Sequence, residues 1–182
     1  MYMLKANIQG QSQTIFLTKD KKNLIVGEVI NTQNGSRVLI PTDLKALENK
    51  EAFVYGTGKD EYYLFTDPQC PYCKRLEAHF PKIADKVKIR VFYFPLSFHK
   101  EAKDISLYVM SQKNKEAKMK AMISTNKDTP AFVNRSYKKG QLEKLEKELE
   151  IQMQVAGELN VKGTPSVFDA KGNKVSWVEL LQ

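Results

Sequence analysis

The feature that most constrains this chain is a pair of cysteines placed where a strand hands over to a helix. Glu61-Tyr-Tyr-Leu-Phe-Thr66 reads as a buried strand, Cys70 to Ala84 as a helix and Val87 to Phe94 as a second buried strand, giving a βαβ unit with both cysteines at its first turn. Pro71 suits the first helical position, where a missing N–H costs nothing, so Cys70 falls at the N-cap. Unpaired backbone N–H groups and the positive end of the helix dipole favour a thiolate there, with a smaller contribution expected from Lys74 and Arg75. Cys73 lies one turn further in, on the stripe continued by Leu76, Phe80, Ile83 and Val87, and is expected to be buried.

Cys70 and Cys73 are the only two cysteines of the chain. A bridge across so short a loop would stabilise the fold little through chain entropy, which leaves redox chemistry or metal binding. A zinc site would have to recruit His79 and His99, in the spacing C-x2-C-x5-H-x19-H, which matches no closed zinc pattern. No metal is therefore expected. A dithiol with one activated member exchanges disulfides with no cofactor: the thiolate attacks, a mixed disulfide forms, and a second thiol resolves it.

The rest of the chain builds around this unit. Residues 2–40 read as short strands, at Tyr2 to Ile8, Gln13 to Thr18, Asn23 to Ile30 and Ser36 to Ile40. Strands so few cannot bury a core alone, and self-pairing across a homodimer is the economical solution. Leu44 to Ala52 reads as an exposed connector helix. From Lys100 to about Asn160 the pattern is helical, with one stripe at Ile105, Val109 and Met110 and another at Leu142, Leu145, Leu149, Met153 and Ala156. The chain then returns to β at Pro165 to Phe168, turns through Asp169 to Asn173, continues as Lys174 to Val178, and closes with a very short helix.

Strand, helix, strand, helical insert, hairpin is a thioredoxin-like order. The expected architecture is α/β: a β-rich dimerisation module at 1–41, a linker helix at 42–58, and a thioredoxin-like catalytic domain at 59–182 with its helical insertion at about 100–160. In this setting Gly163-Thr164-Pro165 entering a strand is a candidate cis bond, whose backbone at Thr164 would hold an extended peptide beside Cys70.

Charge and composition exclude more than they identify. Lys and Arg exceed Asp and Glu by 29 to 21. The lysines are scattered, however, and from Lys138 to Glu150 they interleave with glutamates at helical spacing, so the excess reads as solvated surface and not as a nucleic-acid face. No apolar run is long enough to span a bilayer. The start, MYMLKANIQGQ, lacks the features of a secretory leader, which leaves a cytosolic protein or a mature chain.

In IFLTKDKKNLIVGEVIN, LKALENKEAFVY, FTDPQCPYCKRLE and VKGTPSVFDAKGNKV the chain resembles the bacterial periplasmic disulfide isomerases of the DsbC/DsbG type, and CPYC looks like the DsbG variant. The resemblance implies that Cys70 is the nucleophile, Cys73 the resolving cysteine, Pro71 and Tyr72 the tuning dipeptide, and Thr164-Pro165 the cis-proline pair at the substrate site. It also implies a periplasmic V-shaped homodimer. Its clients would be misfolded or cysteine-containing secreted proteins, and a membrane thiol reductase of the DsbD type would keep the dithiol reduced. The chain departs from the pattern in having no further cysteines, a late-starting N-terminal module and a clipped last helix. Isomerase, reductase of protein disulfides or sulfenic acids, and dithiol oxidase are poorly separated by these residues; a non-catalytic chaperone or metal-binding module is the reading from another class.

Overall fold

A computed structural model describes residues 1–8, 11–27, 29–30, 32–33, 38, 40 and 42–181. The chain divides into two compact units, Met1–Thr42 and Asp43–Gln182.

The first unit is an antiparallel sheet of β1 (Tyr2–Ile8), β2 (Gln11–Leu17) and β3 (Leu24–Val26), in that order. Tyr2 pairs with Leu17 and Ile15 with Val26. The β2–β3 turn is built by Asp20, whose carboxylate accepts from the Lys22 N–H at 3.2 Å and from the Thr18 hydroxyl, while Lys21 takes a left-handed φ of 59°. The expected fourth strand, Ser36 to Ile40, falls largely on residues outside those described. Leu24, Ile25 and Val26 are all exposed, although successive residues of a strand point to opposite faces.

The second unit carries a five-stranded sheet of order β4-β6-β5-β7-β8, with β4 (Phe53–Tyr55), β5 (Asp60–Thr66), β6 (Val87–Tyr93), β7 (Ser166–Asp169) and β8 (Lys174–Val175). Only β5 and β6 run parallel; the other neighbours are antiparallel. The crossover that a parallel pair requires is supplied by α1 (Pro71–Glu77) and α2 (Phe80–Ile83). The insertion consists of α3 (Ala102–Met110), α4 (Lys115–Ser124), α5 (Pro130–Val133) and α6 (Gln141–Glu158). This is a mixed α/β, thioredoxin-like fold with a helical insertion, as the element order predicts.

Alternation along the central strands loads two cores. Leu64, Ile89, Val91, Tyr93 and Val167 point to a cluster closed by Leu76, Phe80, Ile105 and Leu149. Phe65, Phe92 and Phe168 point the other way, against Leu47, Val155, Ala156 and Val161, with Phe65 and Phe92 stacked at 5.1 Å between centroids. Both faces of the sheet are thus covered, which accounts for the near-continuous apolar runs of β5 and β6.

Four sequence expectations change. The segment 42–58 is not a linker helix: it holds a 3-10 turn at Lys45–Leu47 and then edge strand β4, because Asn49 adopts a left-handed φ of 58° and the apolar run from Ala52 to Tyr55 pairs with β6. The helix expected from Cys70 to Ala84 breaks after Glu77, since Pro81 has no N–H for the carbonyl of Glu77 and its ring crowds that carbonyl. On α6 the buried stripe runs Leu145, Leu149, Gln152, Val155 and Ala156, leaving Leu142 and Met153 partly exposed. Gln152 is inside because its Oε1 accepts the Tyr93 N–H at 2.7 Å, beyond the end of β4. Finally, β8 stops at Val175 and a 3-10 turn, Trp177–Leu181, follows. Among the described residues no helix is long and apolar enough to cross a membrane.

Candidate active site

Strand β5 ends at Thr66, and the three residues that follow turn the chain into α1. Asp67 makes the turn: its Oδ1 accepts the N–H groups of Gln69 (2.7 Å) and Cys70 (3.2 Å), and its own carbonyl accepts Cys70 N–H at 3.1 Å. Cys70 is the N-cap of α1, with extended backbone (φ −73°, ψ 121°), and Pro71 occupies the first helical position. The Cys70 side chain caps no backbone N–H of its own helix; its Sγ lies 3.3 Å from the carbonyl oxygen of Thr164, ninety-four residues away.

The Thr164–Pro165 peptide bond is cis. The loop that carries it is braced by the Ser166 hydroxyl, which donates to the Gly163 carbonyl at 2.7 Å, and leads directly into β7 beside β5. Tertiary structure thus joins the two segments singled out in the sequence. Pro71 and Tyr72 are exposed on the helix terminus, Tyr72 at 56%.

Cys73 lies behind Cys70 and is fully buried, and both are free thiols. Burial pushes the Cys73 thiol up to about 12; polar contacts from Thr66, the Asp67 backbone and Thr164 oppose that push, and nearby Glu77 adds to it. One turn along the helix, Glu77 is also fully buried, its Oε1 accepting the Thr66 hydroxyl at 2.6 Å and its Oε2 lacking a hydrogen-bond partner among the described residues. Burial raises the Glu77 carboxyl to about 7, against the pull of Lys74 and Thr66. A proton acceptor that titrates near neutrality therefore sits beside a thiol that resists ionisation.

Lys74 does not serve Cys70 in the way its position suggests. Its ammonium donates to the carbonyls of Met122 (2.5 Å) and Thr125 (3.3 Å) at the end of α4 and stands 3.9 Å from Glu77 Oε2, while burial lowers its pKa. The histidines are likewise committed: His79 Nδ1 lies 2.8 Å from the Arg75 carbonyl, and His99 Nδ1 2.9 Å from Asp67 Oδ2. Among the described residues no group of three or more His, Cys, Asp or Glu could hold a metal ion.

The sequence reading assigns no role to Asp67 or Glu77, and considers His99 only as a zinc ligand. Glu77 had a legible signal, since i+4 from Cys73 places it on the buried stripe with Leu76 and Phe80. Asp67, three residues before Cys70, is a turn-former by type. His99 had no local signal, because its partner is thirty-two residues away.

A family profile described as a thioredoxin-like domain matches residues 47–179. Among solved structures the chain is similar to a disulfide interchange protein from Neisseria gonorrhoeae, with 25% identity, a TM-score of 0.52, and coverage of 68% of this chain and 81% of that one. It shares its fold with Proteus mirabilis ScsC in a compact conformation (18% identity, TM-score 0.55, 76% of each chain). The same holds for the thiol-disulfide exchange protein alpha-DsbA2 of Wolbachia pipientis (13% identity, TM-score 0.55, 75% of this chain and 87% of that one). No curated protein sequence matches significantly.

Proposed function

Because this chain belongs to the thioredoxin-like domain family, we propose that it is a thiol–disulfide oxidoreductase with Cys70 as nucleophile and Cys73 as resolving thiol. The observation that carries the reading is the convergence of Cys70 Sγ on the Thr164 carbonyl, with the buried Cys73 and Glu77 following it on the same helix. The similarity to a protein named for disulfide interchange supports it.

In the forward reaction the Cys70 thiolate attacks one sulfur of a client disulfide. The client's other sulfur departs as a thiolate, and a Cys70–client mixed disulfide remains. Cys73 then passes its proton to Glu77 and attacks the Cys70 sulfur; the client leaves fully reduced, and two electrons have moved from the Cys70/Cys73 pair to it. If another client thiol displaces Cys70 before Cys73 acts, the client is rearranged and the protein stays a dithiol. Pro71, Tyr72, Thr164 and Pro165 line the approach to Cys70, with the Thr164 backbone offering an extended client segment a strand-like partner.

The finer reading is a dimeric, periplasmic disulfide isomerase acting on misfolded secreted proteins and kept reduced by a membrane thiol reductase of the DsbD type. The DsbC/DsbG resemblance supports this. So does the first unit, which exposes Tyr2, Met3, Leu4, Leu24, Ile25 and Val26 on a three-stranded sheet whose outer strands β1 and β3 have no further strand partner among the described residues. Refolding of a scrambled multi-disulfide substrate, compared for the wild-type protein and Cys70→Ser, tests the assignment. Equal rescue by the two would replace it with a non-catalytic chaperone. The redox state of the pair in cells separates the remaining options: mostly reduced favours isomerase or reductase, mostly oxidised favours dithiol oxidase.

A further inference from the structure

We infer that His99 is a positioning residue for Cys70, acting through Asp67; the inference rests on the reading of Cys70 as the attacking thiol. The Asp67 carboxylate is fully buried and has four donors among the described residues. Oδ1 takes the N–H groups of Gln69 (2.7 Å) and Cys70 (3.2 Å); Oδ2 takes the Leu96 N–H (2.7 Å) and His99 Nδ1 (2.9 Å). One oxygen thus holds the turn that presents Cys70, and the other is anchored in the segment after β6.

Three of the four donors are backbone amides. His99 is the one side chain among them and shares the second oxygen with the Leu96 amide, so that the two together fix its orientation. A buried carboxylate that accepts two amides on one side needs its donors on the other side as well, because a buried polar group short of hydrogen bonds is costly and rotates to recover them. Rotation about the Asp67 side chain would carry Oδ1 away from the Cys70 amide. Phe98, though 72% exposed, places its ring edge-on to the His99 imidazole at 4.5 Å, which restricts how the imidazole can turn. A second link runs alongside: the Gln69 side chain donates to Glu101 Oε2 at 2.8 Å and accepts the Glu101 N–H at 2.9 Å. The turn 67–70 is therefore latched at two points to 96–101, at the base of α3. Asp67 and Gln69 precede the cysteine pair, and their partners lie about thirty residues downstream.

The geometry requires a donor at the Nδ1 position. Asparagine places its amide nitrogen close to that position, whereas glutamine places it nearer Nε2. The test is therefore His99→Asn against His99→Gln, with His99→Ala as reference, all in the full chain. The readouts are the rate of Cys70 alkylation by iodoacetamide and the dithiol–disulfide equilibrium against glutathione. His99→Asn should stay within about threefold of wild type, while His99→Gln and His99→Ala should alkylate about tenfold more slowly and shift the equilibrium by up to about tenfold, or about 30 mV. In an Asp67→Asn background His99→Ala should have no further effect.

Equal behaviour of the Asn and Gln variants, wild-type rates in His99→Ala, or an undiminished His99→Ala effect in the Asp67→Asn background would each overturn the inference. If the Ala variant does not fold, the Asn and Gln pair still decides. A wild-type protein that neither exchanges disulfides nor alkylates preferentially at Cys70 would instead refute the proposed function.

Discussion

Replacing Glu77 by glutamine should stabilise the protein at alkaline pH while slowing its resolving step. The wild-type carboxyl is fully buried and raised by that burial from 4.5 to about 7, so between these values the folded state holds a proton that the unfolded state has lost. Stability from this group is complete below pH ~4.5 and is lost as the pH rises through about 7. The rise from 4.5 to about 7 corresponds to roughly 3 kcal/mol. Glutamine keeps the volume and can still accept the Thr66 hydroxyl, but it does not titrate.

Urea unfolding of the reduced proteins from pH 4 to 9 reads the effect. The stability difference, Glu77→Gln minus wild type, should grow by about 3 kcal/mol between pH 4.5 and 8 and then level off. Resolution of a Cys70 mixed disulfide by Cys73, whose thiol burial holds at about 12, should slow about a hundredfold near neutrality when the neighbouring base is gone. A stability difference that stays flat across this range would refute the buried-acid argument, and unchanged resolution would remove Glu77 from the mechanism.

Other outcomes follow from the same geometry. Cys70 should be alkylated well before Cys73 at neutral pH, as mass spectrometry of the modified peptides would show; equal labelling would contradict the difference in their surroundings. Leu24→Lys with Val26→Lys should turn a dimeric full-length protein into a monomer by sedimentation and abolish scrambled-substrate refolding while sparing reduction of small disulfides; a monomeric wild type at micromolar concentration would rule out the dimer. Gly58→Ala should cost about 3 kcal/mol, measured by denaturant unfolding, because the added methyl would lie 1.8 Å from the backbone carbon of Lys86, which cannot move aside as a side-chain tip could.

The sequence was most informative where patterns are local. The apolar runs of β5 and β6, the cysteines at the helix start and the hairpin around Asp169–Asn173 all carry period or turn chemistry within a few residues. Elsewhere a distant partner overrode local propensity. The charged, helix-prone stretch 44–52 gave way because Leu47 is needed in the second core and Phe53 to Tyr55 at the sheet edge. On α6, Gln152 displaced Met153 from the inside because a strand-end amide required an acceptor.

By itself, then, the sequence determined the βαβ unit, the position of Cys70 at the helix N-cap, the burial of Cys73 and the thioredoxin-like element order, since each follows from spacing along one segment. Only the tertiary structure decided that Thr164 stands against Cys70, that Glu77 lies buried without a full set of hydrogen bonds, that Lys74 is drawn away to α4, and that His99 anchors Asp67. These are relations between segments thirty to ninety-four residues apart, or consequences of a local dielectric that exists only once both faces of the sheet are covered.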